Sequence, residues 1–116
     1  MKRGDVVIAD YPFQDVPGSK IRPALVVQND TDNQRLGNTI VAMITGNLRD
    51  AAQATSVLID PGTAEGAGSG LHGASLVKCV NLATVRQGRI LQTIGQISAT
   101  LMQKVDVCLK TALDLP

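Results

Sequence analysis

From Ser98 onward, Leu101, Val105, Leu109 and Leu113 recur every four residues, joined by Met102, Cys108 and Ala112. That period draws one apolar stripe along an α-helix, and Ser98 stands where a side-chain oxygen would cap its first turn. An isolated helix of this length is marginal in water, so its stripe must be buried against something else in the chain. No earlier segment repeats the pattern. The apolar residues upstream come instead in short runs suited to strands, which confines the chain to a mainly β fold with a terminal helix.

The runs can be placed one by one. Val6-Val7-Ile8-Ala9 predicts a first strand, closed by a turn-rich loop from Asp10 to Lys20 that contains Pro12 and Pro17-Gly18. A second strand begins near Arg22, with Pro23 tolerated only at a strand start or on an edge. Asn29 to Asn38 is polar, Thr39 to Thr45 predicts a third strand, and Thr55 to Ile59 a fourth that Asp60-Pro61-Gly62 ends. The glycine-rich stretch Gly62 to Gly73 reads as a flexible loop; it lacks the Gly-Lys-Ser/Thr ending of a phosphate-binding loop and the following helix of a dinucleotide loop. Ser75 to Val80 and Asn81 to Arg86 are extended, and Gln87-Gly88 predicts a tight turn into Arg89 to Ile97, making the end of the sheet a hairpin. The expected architecture is one domain over residues 1–116: a strongly bent antiparallel sheet or small barrel capped by the helix.

Composition narrows the function. Only Tyr11 and Phe13 are aromatic, so the core must be built from aliphatic side chains in thin layers. A net charge of +1 gives no global cationic field, so any nucleic-acid binding must come from local geometry. Cys79, Cys108 and His72 have no metal-ligand spacing; no metal or other cofactor is expected, and the thiols read as reduced and buried. Met1 to Asp5 lead into a strand without a long apolar stretch, so neither a signal peptide nor a membrane span is expected and a cytoplasmic location is.

Four segments in order and spacing carry a resemblance: Lys2-Arg3-Gly4-Asp5-Val6, then Arg22-Pro23-Ala24-Leu25-Val26-Val27-Gln28-Asn29-Asp30, then Val41-Ala42-Met43-Ile44-Thr45, and finally Thr84-Val85, Arg89-Ile90 and Ile94-Gly95-Gln96-Ile97 before the helix. Together they resemble the MazF/PemK toxins of type II toxin-antitoxin systems. The resemblance implies an SH3-like barrel of the CcdB/MazF type with a C-terminal α-helix. It also implies a homodimer that cleaves single-stranded RNA at short motifs without a metal and is neutralised by an antitoxin, an acidic and partly disordered peptide.

It further implies roles for particular residues. Arg22 stands at the family's Arg-Pro motif, and a guanidinium that stays protonated suits the charge of a reacting phosphate. Thr45 stands at the family's strand-end hydroxyl; it can donate to a phosphate oxygen but is too weak a base to abstract a proton. Phe13, Gly18, Ser19 and Lys20 lie in the loop that in the family closes over RNA and meets the antitoxin. Phe13 or Tyr11 could stack on a base or simply pin that loop. Lys78 keeps the positive charge of a family pair whose acidic member is here Val80, and Ala83 replaces a frequent basic residue, so the general base is left open. Asn81 offers a donor and an acceptor to a base edge. His72 reads as a surface residue. The rival reading is a catalytically weak or silent protein of this fold that binds RNA, antitoxin or a protein target, as architecture alone does not choose an activity.

Overall fold

The computed structural model describes residues 1–116. Its strands are β1 (Asp5–Pro12), β2 (Ser19–Val26), β3 (Asn38–Thr45), β4 (Ser56–Ile59), β5 (Ser75–Arg86) and β6 (Ile90–Gln96), with helices α1 (Asp30–Arg35) and α2 (Ala99–Ala112). The strands form one antiparallel sheet in the order β4-β5-β3-β2-β1-β6. The sheet is bent rather than closed. Register breaks between Ala42 and Met43 on β3, and at two points where β1 meets β6, supply the bends.

Alternation along the strands sorts the apolar residues into two cores. On one face Val6, Leu25, Ala42, Ile44, Val57, Ile59, Val77 and Cys79 meet Leu101, Val105 and Cys108 of α2, as the four-residue stripe requires. On the other, Val7, Ala9, Tyr11, Ala24, Val26, Val41 and Val85 form a smaller cluster with Met43 at its margin. The Ser98 hydroxyl accepts from Leu101 N at 3.1 Å, capping α2 as its position predicts. Replacing Ser98 with alanine should therefore cost about 1 kcal/mol, read as a lower urea midpoint with an unchanged slope.

Three expectations are corrected. The β1–β2 connection is a hairpin whose ladder extends to Tyr11↔Lys20 and Pro12↔Ser19, so the loop proper spans only residues 13–18. Phe13 N donates to Gly18 O at 2.9 Å to close it, with Gly18 at φ +109°. Next, β5 and β6 do not form a hairpin. A 3₁₀ turn at Gln87–Arg89 carries the chain across to pair with β1, leaving β3, β2 and β1 between the two strands. Finally, the middle of the glycine-rich stretch, residues 68–70, is packed backbone to backbone on β6. Gln96 N donates to Gly68 O at 2.9 Å, Ser69 is fully buried, and a Cβ on Gly95 would stand 2.3 Å from Gly68 O. Gly68 and Gly70 serve close approach rather than freedom, and their segment covers part of an edge strand.

A short helix also appears inside the polar stretch. Asn29 caps α1, and Gln28, Asn33 and Thr39 form a buried network in which Gln28 Nε2 donates to Asn33 Oδ1 at 3.0 Å and Thr39 Oγ1 to the same oxygen at 2.7 Å. The Gln28-Asn29-Asp30 motif is thus a fold-building element. Pro23 lies inside β2 without penalty, since β2 pairs with β3 only from Ala24 onward. Both cysteines are buried and free, and burial pushes the Cys79 thiol up to about 12.

Candidate functional site

The β2–β3 register pairs Ala24 with Met43, and two residues further along lie Arg22 on β2 and Thr45 on β3. With a side-chain period of two, all four leave the sheet on one face, the face of the smaller core. The side chains agree: Arg22 Nη1 donates to Met43 Sδ at 2.7 Å. Lys78 on β5 is the direct partner of Met43, so it emerges on that face too. Ala24, Met43 and Lys78 therefore run in a row across three neighbouring strands, with Arg22 and Thr45 one pair below and the Arg22 side chain reaching up to Met43.

Arg22 is half-buried and belongs to none of the five ion pairs. Its single side-chain hydrogen bond goes to a thioether, a weak acceptor, so a phosphate can take the guanidinium at little cost. It lines a cavity of about 200 Å³ with Tyr11, Phe13, Asp15, Met43 and Asn81. Tyr11 is buried and its hydroxyl donates to Asn81 O at 2.6 Å, which fixes Cys79 to Asn81, the extra residues that β5 carries opposite the Ala42–Met43 break. Burial pushes the Tyr11 phenol up to about 12 against the opposing pull of Arg22. It is a neutral donor at ordinary pH and no candidate for a base. Of the two rings, Tyr11 pins the structure, whereas Phe13 is exposed at the cavity's rim.

Thr45 Oγ1 accepts from Asn47 N at 3.1 Å. That bond holds the oxygen through one lone pair and leaves the hydroxyl hydrogen free to donate. Lys78 is less available. Its side chain is 12% exposed and its ammonium meets Asp50 Oδ2 at 2.5 Å; the same contact holds the Asp50 carboxyl below its usual range. Val80 is 56% exposed and offers nothing polar.

The fold thus brings Phe13, Arg22 and Asn81 around one cavity and puts Thr45 and Lys78 on the same wall. Ser19 and Lys20 do not line the cavity. Lys20 follows Arg22 on the same face one pair further up the hairpin, Ser19 pairs with Pro12, and Gly18 shapes the turn that seats Phe13. Met43, Asn47 and Asp50 are additions. Met43 could have been found as the residue two before Thr45 on the same strand face; nothing local in the sequence marks Asp50. His72 is exposed and lines a separate hollow with Gly46, Leu71 and Gln92. No group of three or more His, Cys, Asp or Glu side chains converges anywhere in the chain, and no helix is long and apolar enough to cross a membrane.

Comparison with known proteins bears on this geometry. Residues 2–113 match the family described as PemK-like, MazF-like toxin of type II toxin-antitoxin system. The chain is 34% identical to endoribonuclease EndoA of Bacillus subtilis over 99% of its own length and 96% of that protein. It is 31% identical to endoribonuclease MazF of Staphylococcus saprophyticus over 99% and 92% of the two chains. Among solved structures, Mycobacterium tuberculosis toxin MazF-mt6 superposes with a TM-score of 0.77 at 28% identity, covering 97% of this chain and 98% of that one. A mycobacterial endoribonuclease in complex with its cognate antitoxin shares the fold with a TM-score of 0.80 at 24% identity, over 100% and 97% of the chains.

Proposed function

The chain belongs to the PemK-like, MazF-like toxin family, and from that footing we propose that it is an endoribonuclease that cuts single-stranded RNA by internal attack, without a metal. The observation that carries the reading is Arg22: a guanidinium with no carboxylate partner, on the wall of a cavity, on the sheet face that also bears Thr45.

The chemistry follows from these groups. A ribose 2′-oxygen attacks the adjacent phosphorus, the bond to the 5′-oxygen breaks, and the products are a 2′,3′-cyclic phosphate, which can open to a 3′-phosphate, and a 5′-hydroxyl. Negative charge builds on the non-bridging oxygens. Arg22 answers that charge with a fork of N–H donors, and Thr45 adds a hydroxyl donor whose oxygen Asn47 N holds in place. Holding the phosphodiester against both groups supplies the rest through orientation. Asp15 is the one carboxylate lining the cavity, while Asp50 is occupied by Lys78. Phe13 at the rim offers a stacking face of order ~1–3 kcal/mol per base, and the Asn81 amide a polar edge.

Because Thr45 acts as a hydroxyl donor, Thr45→Val should lower kcat about 100-fold with KM little changed, and Thr45→Ser should keep most of the activity. Single-turnover cleavage of a long RNA measures both; equal rates for Thr45→Val and wild type would remove Thr45 from the site. Cleavage should persist in excess chelator.

The protein acts in the cytoplasm as a homodimer held in check by a cognate antitoxin, in line with the antitoxin complex among its structural relatives. Light scattering at micromolar concentration should give twice the chain mass. A second reading has one observation in its favour: Val80 is apolar and Lys78 is neutralised by Asp50, which leaves the wall with less acid-base chemistry than a full pair would supply. A silent binder would retain RNA with the substrate intact.

A further inference from the structure

The Lys78–Asp50 pair is the best-sheltered ion pair in the molecule, and its acidic half comes from the β3–β4 connection rather than from the sheet. That connection is lightly held. Between Gly46 and Gln53 its backbone donors go to Thr45 Oγ1, to the Asn47 side chain and to Leu48 and Asp50 carbonyls, all within the segment or at its root. All its residues except Asp50 are exposed, and Asp50 is the only one whose side chain bonds to the sheet. A cation on the proposed RNA face, almost shut off from solvent, is thus plugged by a carboxylate on a strap with little else to anchor it.

We propose that Asp50 is a built-in substitute for an RNA phosphate: it occupies Lys78 in the free protein and gives way to a substrate phosphodiester, so that the strap from Leu48 to Gln53 leaves the wall as RNA seats while Asn47 stays on Thr45. This rests on the reading of the face as an RNA site. The exchange is sound in charge, since one monoanion replaces another on the same ammonium and the near-buried cation is never left unpaired. Lys78 sits beside Met43 on β5 and Arg22 reaches Met43 from β2 one pair away, so their backbones are two strand spacings and two residues apart, ~12 Å on the diagonal, and a chain of phosphates reaching Arg22 passes within reach of Lys78. Arg49, next to Asp50 and in no ion pair, travels with the strap and can meet the backbone once it moves. Asn47 is the root of the strap: its amide keeps the Thr45 oxygen while the residues beyond it swing away. Asp50 is in these terms a residue that sets substrate affinity, and the cost of displacing it belongs to binding.

The experiment measures binding of an uncleavable 2′-O-methyl oligoribonucleotide by fluorescence anisotropy across a salt series. Asp50→Asn should bind about fivefold tighter than wild type, because no anion has to be displaced. Lys78→Met should bind more weakly, with the slope of log K against log salt smaller by about 0.7, and adding Asp50→Asn to it should bring no gain. Hydrogen exchange on the unmutated protein gives a second readout that does not depend on how the variants fold: amides 49–53 should exchange faster once the oligonucleotide is bound. Unchanged or weaker binding by Asp50→Asn, a gain that survives Lys78→Met, or slower exchange of that segment would each overturn the proposal. No binding by the wild-type protein would instead overturn the RNA-site reading beneath it.

Discussion

Replacing Arg22 with alanine should lower RNA cleavage about 10³-fold while barely moving the unfolding midpoint. The catalytic loss is large because Arg22 is the one cation lining the cavity, and it brings a full, unspent positive charge to a phosphorane. The small stability cost follows from its contacts, since the side chain is half-buried and its only polar partner is the Met43 thioether. Removing it strands no buried carboxylate, and substitutions away from such features stay near ±0.5 kcal/mol. Arg22→Lys should recover part of the rate, because it restores a point charge but not the planar fork. Equal cleavage by Arg22→Ala and wild type would leave the wall without its principal group.

The largest effect on folding is expected at a residue far from the chemistry. Gly95→Ala should destabilise the protein by about 3 kcal/mol, seen as a clear fall in the urea midpoint. A Cβ there would lie 2.3 Å from Gly68 O and 2.4 Å from the Ser69 carbonyl carbon, and both are backbone atoms that no rotamer change can move aside. Either β6 or the 66–70 segment must shift, and the Gln96 N to Gly68 O bond is lost with it. Gly70→Ala should behave alike, as its Cβ would stand 2.0 Å from Ile94 O at a φ of +73°. Gly73→Ala and Gly88→Ala, which meet nothing within 4 Å, serve as controls and should stay close to wild type. Similar midpoints for all four would show that the glycine stretch is loosely held after all.

Arg22 and Gly95 differ in how far the chain alone reveals them, and the same divide runs through the fold. Period and capping locate α2 because its stripe and Ser98 are local signals, and short apolar runs bounded by turn residues locate the strands for the same reason. Helix α1 was invisible, since Asp30–Arg35 has no apolar stripe and depends on the buried Gln28–Asn33–Thr39 network that only the folded sheet assembles. The turn at Gln87-Gly88 was visible, but a turn signal does not say which sheet edge receives the next strand; Gln87 Nε2 donating to Asn33 O at 2.8 Å fixes that path through a distant contact. Closely spaced glycines read alike for flexibility and for close backbone packing until the partner strand is known. At the site, Arg22 and Thr45 could be singled out through family resemblance, and their common face followed from strand register. Asp50 could not be found in this way. It lies 28 residues from Lys78, and only the path of the β3–β4 connection brings them together.

In the proposed reaction the substrate supplies its own nucleophile against a phosphate held by Arg22. Once cut sites on a long RNA are mapped by primer extension, a short oligoribonucleotide carrying one such site should be made with a single 2′-deoxy sugar immediately 5′ of the scissile phosphate. It should bind and compete like the all-ribose substrate yet remain uncut, while the all-ribose control yields ends with a 2′,3′-cyclic phosphate or a 3′-phosphate. Cleavage of the deoxy-substituted strand at the mapped position would contradict internal attack and, with it, the role assigned to this wall.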